Sequence, residues 1–337
     1  MDGSGVPRTV AERLYYDLDA ALEFQAVVTG LRSGGREGGS DGQGKPLWHL
    51  ALDRTAFYPA GGGQPWDQGL LLATLPNAET LRVEVERVEE DAAGQVWHAV
   101  WEPVAVGAPV LGRVDAERRM DHAQQHSGQH LLSAMFLREL GLPTVSFHLG
   151  AQSVTIDLKA EMICPEDLAR VEDAVNRVIF EDRRMLSRWV EQEEAEQMLA
   201  RGELRKLPER AGPIRIVQME GVESNACGGT HVRSTGAIGG LLVRRVEKVR
   251  QGQRVEFCCG LRAVRAARSD LARLRESGAL LSVGPAELAG RVAGLMEDRK
   301  QRAKERKLLE RQIKELEDRL RASSQQRRRG DEGSEQG

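Results

Sequence analysis

Aromatic side chains are scarce in this chain, at 4% of its 337 residues. That argues against a protein that grips single-stranded nucleic acid by stacking bases on rings. An excess of one charge is missing too. With 48 Lys and Arg against 51 Asp and Glu, the net charge of −3 gives no overall attraction to nucleic acid, so any basic footprint must be local. Four cysteines are too few and too irregular for a disulfide framework: Cys227 sits in a motif, Cys258 and Cys259 are adjacent, and Cys164 stands alone. Such usage points to a reducing compartment. Met1 to Val10 lacks the apolar core of a signal peptide, and no run of about eighteen apolar residues is present to span a membrane. A soluble, cytoplasmic protein is expected. No repeat of 20 to 50 residues is visible.

The chain does have enough apolar residues, 40%, for ordinary cores, and enough length for two domains and an appendage. The expected class is α+β, with a small N-terminal β-barrel, an α+β domain and a C-terminal helical extension. Residues 1–110 read as β-rich, with strand-like runs at Phe24 to Leu31, Leu47 to Leu52, Gly69 to Thr74 and Val96 to Trp101. The glycine- and serine-rich stretch from Ser33 to Gly42 reads as a flexible loop. Residues 111–260 read as α+β. A helix is expected over Asp115 to Leu140, ending at Gly141-Leu142-Pro143. Strand-like segments follow over Ser146 to Leu158. A second helix from Pro165 carries Leu168, Val171, Val175, Val178 and Ile179 on one stripe. The charged stretch from Glu191 begins as a helix. Strands are expected at Ile214 to Met219, Gly239 to Val246 and Arg254 to Cys259. In the extension, 261–322, a helix over Leu261 to Ser277 is followed by a break at Gly278 to Pro285. Leu309, Ile313, Leu316 and Leu320 then show coiled-coil phasing, interrupted upstream by Arg299, Arg302 and Arg306. Residues 323–337 are polar and read as a disordered tail.

The chemistry concentrates in two short motifs. His126-Ser127-Gly128-Gln129-His130 puts two imidazoles one helical turn apart, and Cys227-Gly228-Gly229-Thr230-His231 adds a thiolate and a third imidazole from a glycine-rich bend. Three nitrogens and one sulfur suit a single Zn²⁺ in number and softness, with His126, His130, Cys227 and His231 as ligands. His122 shares the stripe, so spacing alone allows either neighbouring pair. The His126/His130 pair is preferred because Leu131 and Leu132 would bury that end, leaving His122 as a group facing substrate or supporting a ligand, or as a surface histidine. Four protein ligands normally describe a closed structural site, whereas catalytic zinc keeps an open position, and spacing does not choose between them.

These residues resemble the editing domain of alanyl-tRNA synthetase and its free-standing AlaX-type relatives, the alanyl-tRNA editing proteins. The matching segments are His126 to Leu132, Ser224 to Val232 continuing through Thr235 to Gly239, and the upstream run from Thr55 to Gly69 containing Gly61-Gly62-Gly63-Gln64. Related domains in threonyl-tRNA synthetase lack that glycine-rich motif, which favours the alanine branch. The resemblance implies that residues 111–260 are a zinc-dependent tRNA editing domain. It further implies a deacylase, a carboxylic ester hydrolase that acts in trans on tRNA(Ala) bearing serine, or glycine as well. With about 110 residues before the editing helix, no activating core is expected.

A pocket built for alanine cannot strongly reject serine, so a second, hydrolytic site must read the serine hydroxyl. The resemblance makes Thr55 the candidate reader. Gln129 is a candidate for positioning water or substrate, beside Gln125, and Gly61, Gly62, Gly63 and Gln64 are candidates for close approach to the substrate. Arg244, Arg245 and Lys248, with Arg250 and Arg254, form a basic cluster on an expected hairpin that could meet tRNA phosphates. A second cluster runs from Arg299 to Lys307. A homodimer through the C-terminal helix is a further expectation. The competing readings are a structural-zinc RNA-binding module without hydrolysis, and a deacylase of another mischarged tRNA.

Overall fold

The computed structural model describes residues 11–33, 46–151, 153–209 and 212–334, so most of the glycine-rich loop expected at 33–42 lies outside the described residues. The chain divides into two compact units, residues 1–265 and 266–337. The first unit opens with β1 (Glu12–Arg13), β2 (Glu23–Ser33), β3 (Trp48–Leu52), β4 (Arg54–Thr55), β5 (Gly69–Thr74), β6 (Thr80–Glu90), β7 (Val96–Val100) and β8 (Pro109–Val114). Six of them close an antiparallel barrel in the order β2-β3-β7-β6-β5-β8, with β8 returning to β2. The expected small barrel is therefore present. Its core takes alternate residues, Phe24, Ala26 and Val28 from β2 and Val83 and Val85 from β6. Strand β6 escaped a reading based on continuous apolar runs because its valines alternate with charged residues that face out.

His98 of β7 is wholly buried in the barrel, with Nδ1 3.0 Å from the Leu50 carbonyl and Nε2 2.8 Å from the Thr55 hydroxyl. Burial pushes its pKa down from 6.5 to about 4. As pH falls below 6.5 the unfolded chain takes up a proton here that the folded chain refuses until about pH 4. Stability is thus expected to fall by about 3 kcal/mol between those limits from this residue alone. Urea melts at pH 7 and pH 4.5 should show a smaller difference for His98→Gln than for the parent chain. An equal difference would refute the assignment.

After the barrel come α1 (Ala116–Leu140), β9 (Thr144–Leu149), β10 (Val154–Leu158), α2 (Pro165–Phe180), β11 (Met185–Val190), α3 (Gln192–Ala200), β12 (Ile214–Met219), β13 (Glu223–Ala226), β14 (Leu241–Val249) and β15 (Gly252–Cys259). Two antiparallel sheets result, ordered β14-β15-β10-β9 and β11-β12-β13. The expected α1 boundaries were local in origin. The Asp115 side chain accepts from the Arg118 N–H at 3.0 Å, and Gly141 closes the helix at φ 66°, a left-handed cap that glycine adopts without strain. Unlike an amphipathic surface helix, α1 is buried over most of its middle, from His122 to Phe136. The stripe of α2, Val171, Val175, Val178 and Ile179, packs into the same core.

The barrel is fastened to α1 by a buried ion pair. Asp67, wholly buried in the glycine-rich motif, pairs with Arg119 of α1 and accepts from the Tyr58 N–H at 2.7 Å. Arg118 Nε also donates to the Trp66 carbonyl at 3.0 Å. These contacts place the turn at Gly61 to Gln64 over the middle of α1.

The boundary between the units falls within α4 (Gly260–Leu280), and in the second unit α5 (Leu288–Ser334) is one long helix. It extends through residues assigned from composition to a disordered tail. Pairs of opposite charge at helical spacing, such as Arg306 with Glu310 and Glu315 with Arg319, suit a solvated helix of this kind. Its Leu309, Ile313, Leu316 and Leu320 are exposed. No described helix is long and apolar enough to cross a membrane.

Candidate metal centre and cleft

His126, His130, Cys227 and His231 are brought together with one ligand atom from each lying within 4.8 Å of the others. Cys227 Sγ is 3.4 Å from His126 Nε2 and 3.3 Å from His231 Nε2. A zinc tetrahedron with bonds of 2.0–2.3 Å has edges of about 3.3–3.8 Å, which the two Cys227–histidine distances match, so the set is compatible with a metal ion. Burial holds all three imidazoles well below their ordinary pKa, His130 at about 4, which keeps them in the neutral, ligating form. Burial raises the Cys227 thiol, while the Gly229 N–H and the Arg215 charge oppose that rise.

Contacts behind the ligands set their orientation. Gln64 Oε1 accepts from the Thr230 N–H at 3.1 Å and lies 2.8 Å from His126 Nδ1, while its Nε2 donates to Thr230 Oγ1 at 2.9 Å. The amide is thereby fixed, His126 Nδ1 must carry the proton, and Nε2 is left to face the cluster. Ser127 Oγ, 3.0 Å from His231 Nδ1, also accepts from the Val232 N–H at 3.2 Å. His130 Nδ1 meets Asn225 at 3.1 Å and Glu223 Oε1 at 3.6 Å. Burial pushes the Glu223 carboxyl up to about 7 against the pull of its partner Arg205. Arg215, 1% exposed, lies beneath the bend, with Nη1 donating to the carbonyls of Cys227 at 3.0 Å and Gly229 at 2.8 Å.

Each motif owes one glycine to close approach. A Cβ on Gly128 would stand 2.3 Å from Cys259 Sγ, and one on Gly229 would stand 2.1 Å from His126 Cε1. His126, His130 and Cys227 lie in the wall of a cleft of about 720 Å³ between the barrel and the α+β part, lined by Tyr58 to Gly62, α1, β9 and the Cys227 bend, while His231 sits behind them. That volume suits a small-molecule or cofactor-sized group. A larger groove of about 1490 Å³ beside β11 contains none of the four donors.

Several expected residues are placed elsewhere. Thr55 does not reach the cleft: it is wholly buried in the barrel, where its hydroxyl meets His98 and accepts from the Phe57 N–H. Gln64 supports His126 and does not line the cleft. Gly61 and Gly62 do line it, whereas Gly63 faces the Phe147 ring. Gln129 lines the cleft, while Gln125 is committed to the backbone of Cys259. His122 is buried outside the cluster, neither a surface residue nor part of the cleft lining. Arg244, Arg245 and Lys248 are exposed on β14, at the opposite edge of the sheet from β9, and Arg245 pairs with Glu247 at 2.8 Å.

Residues not anticipated at the cleft include Tyr15, Tyr16, Arg205, Lys206, Glu223 and Asn225, and Ser133 and Thr144 as well. An arginine inside the apolar run Ile214-Arg215-Ile216-Val217 was a readable signal for a buried supporting charge. Of the others, only Asn225 left one, since it lies inside the matching segment Ser224 to Val232. Replacing Gln64 by Met should weaken zinc binding about 10- to 100-fold with the fold intact, as read by chelator competition beside circular dichroism. Unchanged affinity would show that His126 needs no such support.

A barrel turn braces a three-histidine, one-cysteine cluster beside a cleft, and that arrangement is compatible with a metal-site module. Residues 214–256 match the family described as the threonyl and alanyl tRNA synthetase second additional domain. The chain is 32% identical over 315 residues to the alanine–tRNA ligase of Pyrococcus abyssi, covering 90% of this chain and 32% of that protein. It is 30% identical over 319 residues to that of Methanosarcina barkeri, covering 91% and 32%. It is also 38% identical over 221 residues to the alanyl-tRNA editing protein Aarsd1 of Mus musculus, covering 63% and 50%. The chain thus spans about a third of the ligases' length and half of the editing protein's. It resembles an AlaX-type alanyl-tRNA editing protein, as the motifs implied.

Proposed function

We propose that this chain hydrolyses the ester linking a wrong amino acid to tRNA(Ala), serine first and glycine second, and that it acts in trans on tRNA already charged. The observation that carries this reading is the position of the four-donor cluster, three of whose members, His126, His130 and Cys227, line a cleft large enough for an aminoacylated adenosine. In the reaction, water adds to the ester carbonyl carbon, the bond to the ribose oxygen breaks, and free amino acid leaves from a tRNA with its hydroxyl restored.

His126, His130, Cys227 and His231 would hold Zn²⁺, which when bound lowers the pKa of water or polarises a carbonyl. The remaining work falls to the chain's own groups. Gly61 and Gly62 allow the ribose and ester close to the backbone. Arg205 and Lys206 supply positive charge at the cleft for the terminal phosphates, although Glu223 neutralises part of the first. Arg244, Arg245 and Lys248, remote from the cleft, are suited to phosphates further along the tRNA. Dimerisation through α5 also belongs to this proposal, and a monodisperse monomer in sedimentation would remove it.

One observation favours the other reading, a structural zinc in an RNA-binding module: four protein donors already complete a tetrahedral shell. Single-turnover deacylation separates the two. Ser-tRNA(Ala) should lose its ester far faster with the protein than without it, and Ala-tRNA(Ala) should be spared. A panel including tRNA mischarged with threonine or D-amino acids tests the substrate class. An ester left intact throughout would refute hydrolysis.

A further inference from the structure

Gln129 is 5% exposed and lines the cleft between the ligands His126 and His130 on α1. Its Nε2 donates to Ser133 Oγ at 2.9 Å, and Ser133 Oγ also accepts from the Thr144 hydroxyl at 2.7 Å. Ser133 and Thr144 line the same cleft. The carboxamide is thus held at one end by a hydroxyl relay from α1 to β9. At the other end Oε1 has no hydrogen-bond partner. A buried amide oxygen without a donor costs about 1–3 kcal/mol, and a built polar wall of this kind favours a ligand that relieves the cost.

We infer that Gln129, oriented by Ser133 and Thr144, is the residue that reads the side-chain hydroxyl of the seryl group. This deepens the preceding proposal and rests on it. A serine hydroxyl donates to the free oxygen. Were the amide turned over, with Ser133 donating to Oε1, the hydroxyl would accept from the freed Nε2 instead. Alanine offers neither, so with alanine bound the amide stays unpaired and its burial is not relieved. The α-amino group and the ribose hydroxyls are common to both substrates and cancel in a comparison between them. This assignment replaces Thr55, whose hydroxyl is committed to His98 inside the barrel.

The test uses the full chain and two stable probes, 3′-seryl-amido and 3′-alanyl-amido analogues of adenosine, with affinities measured by calorimetry. The parent protein should favour the seryl probe. Gln129→Leu should reduce the seryl-to-alanyl ratio about ten- to a hundredfold, chiefly by weakening the seryl probe. Ser133→Ala and Thr144→Val, which remove the relay and leave Gln129 in place, should reduce it less. A ratio unchanged in Gln129→Leu, or equal weakening of both probes, would overturn the inference. Because these probes bind without being cleaved, that failure is distinct from a parent protein unable to deacylate Ser-tRNA(Ala), which would overturn the reading beneath it. Thermal melts establish that each variant is folded, and retention of the ratio in folded Ser133→Ala and Thr144→Val would reject the relay.

Discussion

Cys227→Ala is expected to lower single-turnover deacylation of Ser-tRNA(Ala) by about a thousandfold or more and to release zinc from the purified protein. The thiolate is the only sulfur and the only anionic donor in the set, and it meets both His126 Nε2 and His231 Nε2. Losing a group that only supports a ligand typically costs 10- to 100-fold, so losing a ligand should exceed that range. Metal content by mass spectrometry and the deacylation rate should fall together. The barrel should remain folded, because its core is a separate cluster from the one beneath the metal site. A variant that loses zinc and still deacylates at the parent rate would make the metal structural and move the chemistry elsewhere in the cleft.

Gly229→Ala is expected to be nearly as damaging, although it removes no ligand and no hydrogen-bonding side chain. The added methyl would stand 2.1 Å from His126 Cε1, 2.3 Å from His126 Nδ1 and 3.0 Å from Gln64 Oε1. None of these atoms can yield cheaply. His126 is buried and its Nδ1 is held by Gln64, which is itself held by Thr230. The bend cannot retreat either, since Arg215 holds the carbonyls of Cys227 and Gly229. Either His126 leaves the cluster or the bend moves Cys227 and His231 away from it. Zinc affinity should therefore drop more than about 100-fold, beyond the loss expected for Gln64→Met. Gly228→Ala provides the contrast: its methyl would meet only Tyr16, at 3.9 Å, and it should bind zinc nearly as the parent does. Equal behaviour of the two variants would contradict the packing described.

What the sequence determined by itself was whatever depends on neighbours along the chain. Helix α1 was legible from end to end because its start and stop are set by Asp115 and Gly141. The spacing of His126 and His130 gave a shared face for the same reason, and Cys227 and His231 came from one short bend. Four ligands from two local motifs were enough to point to a metal. Tertiary structure alone decided how that candidate metal site is supported and which groups line the cleft. Gln64 reaches His126 across 62 positions and Thr230 across 166, an approach set by barrel closure and by the Asp67–Arg119 pair. The motifs pointed to Thr55 as the reader of the hydroxyl and to Gln129 only as a group that positions water or substrate. Their different fates follow from burial: one hydroxyl is spent inside a barrel, while one amide oxygen is left unpaired beside a cleft. Local sequence fixes backbone direction and side-chain spacing, but hydrogen-bond satisfaction is a property of the packed chain.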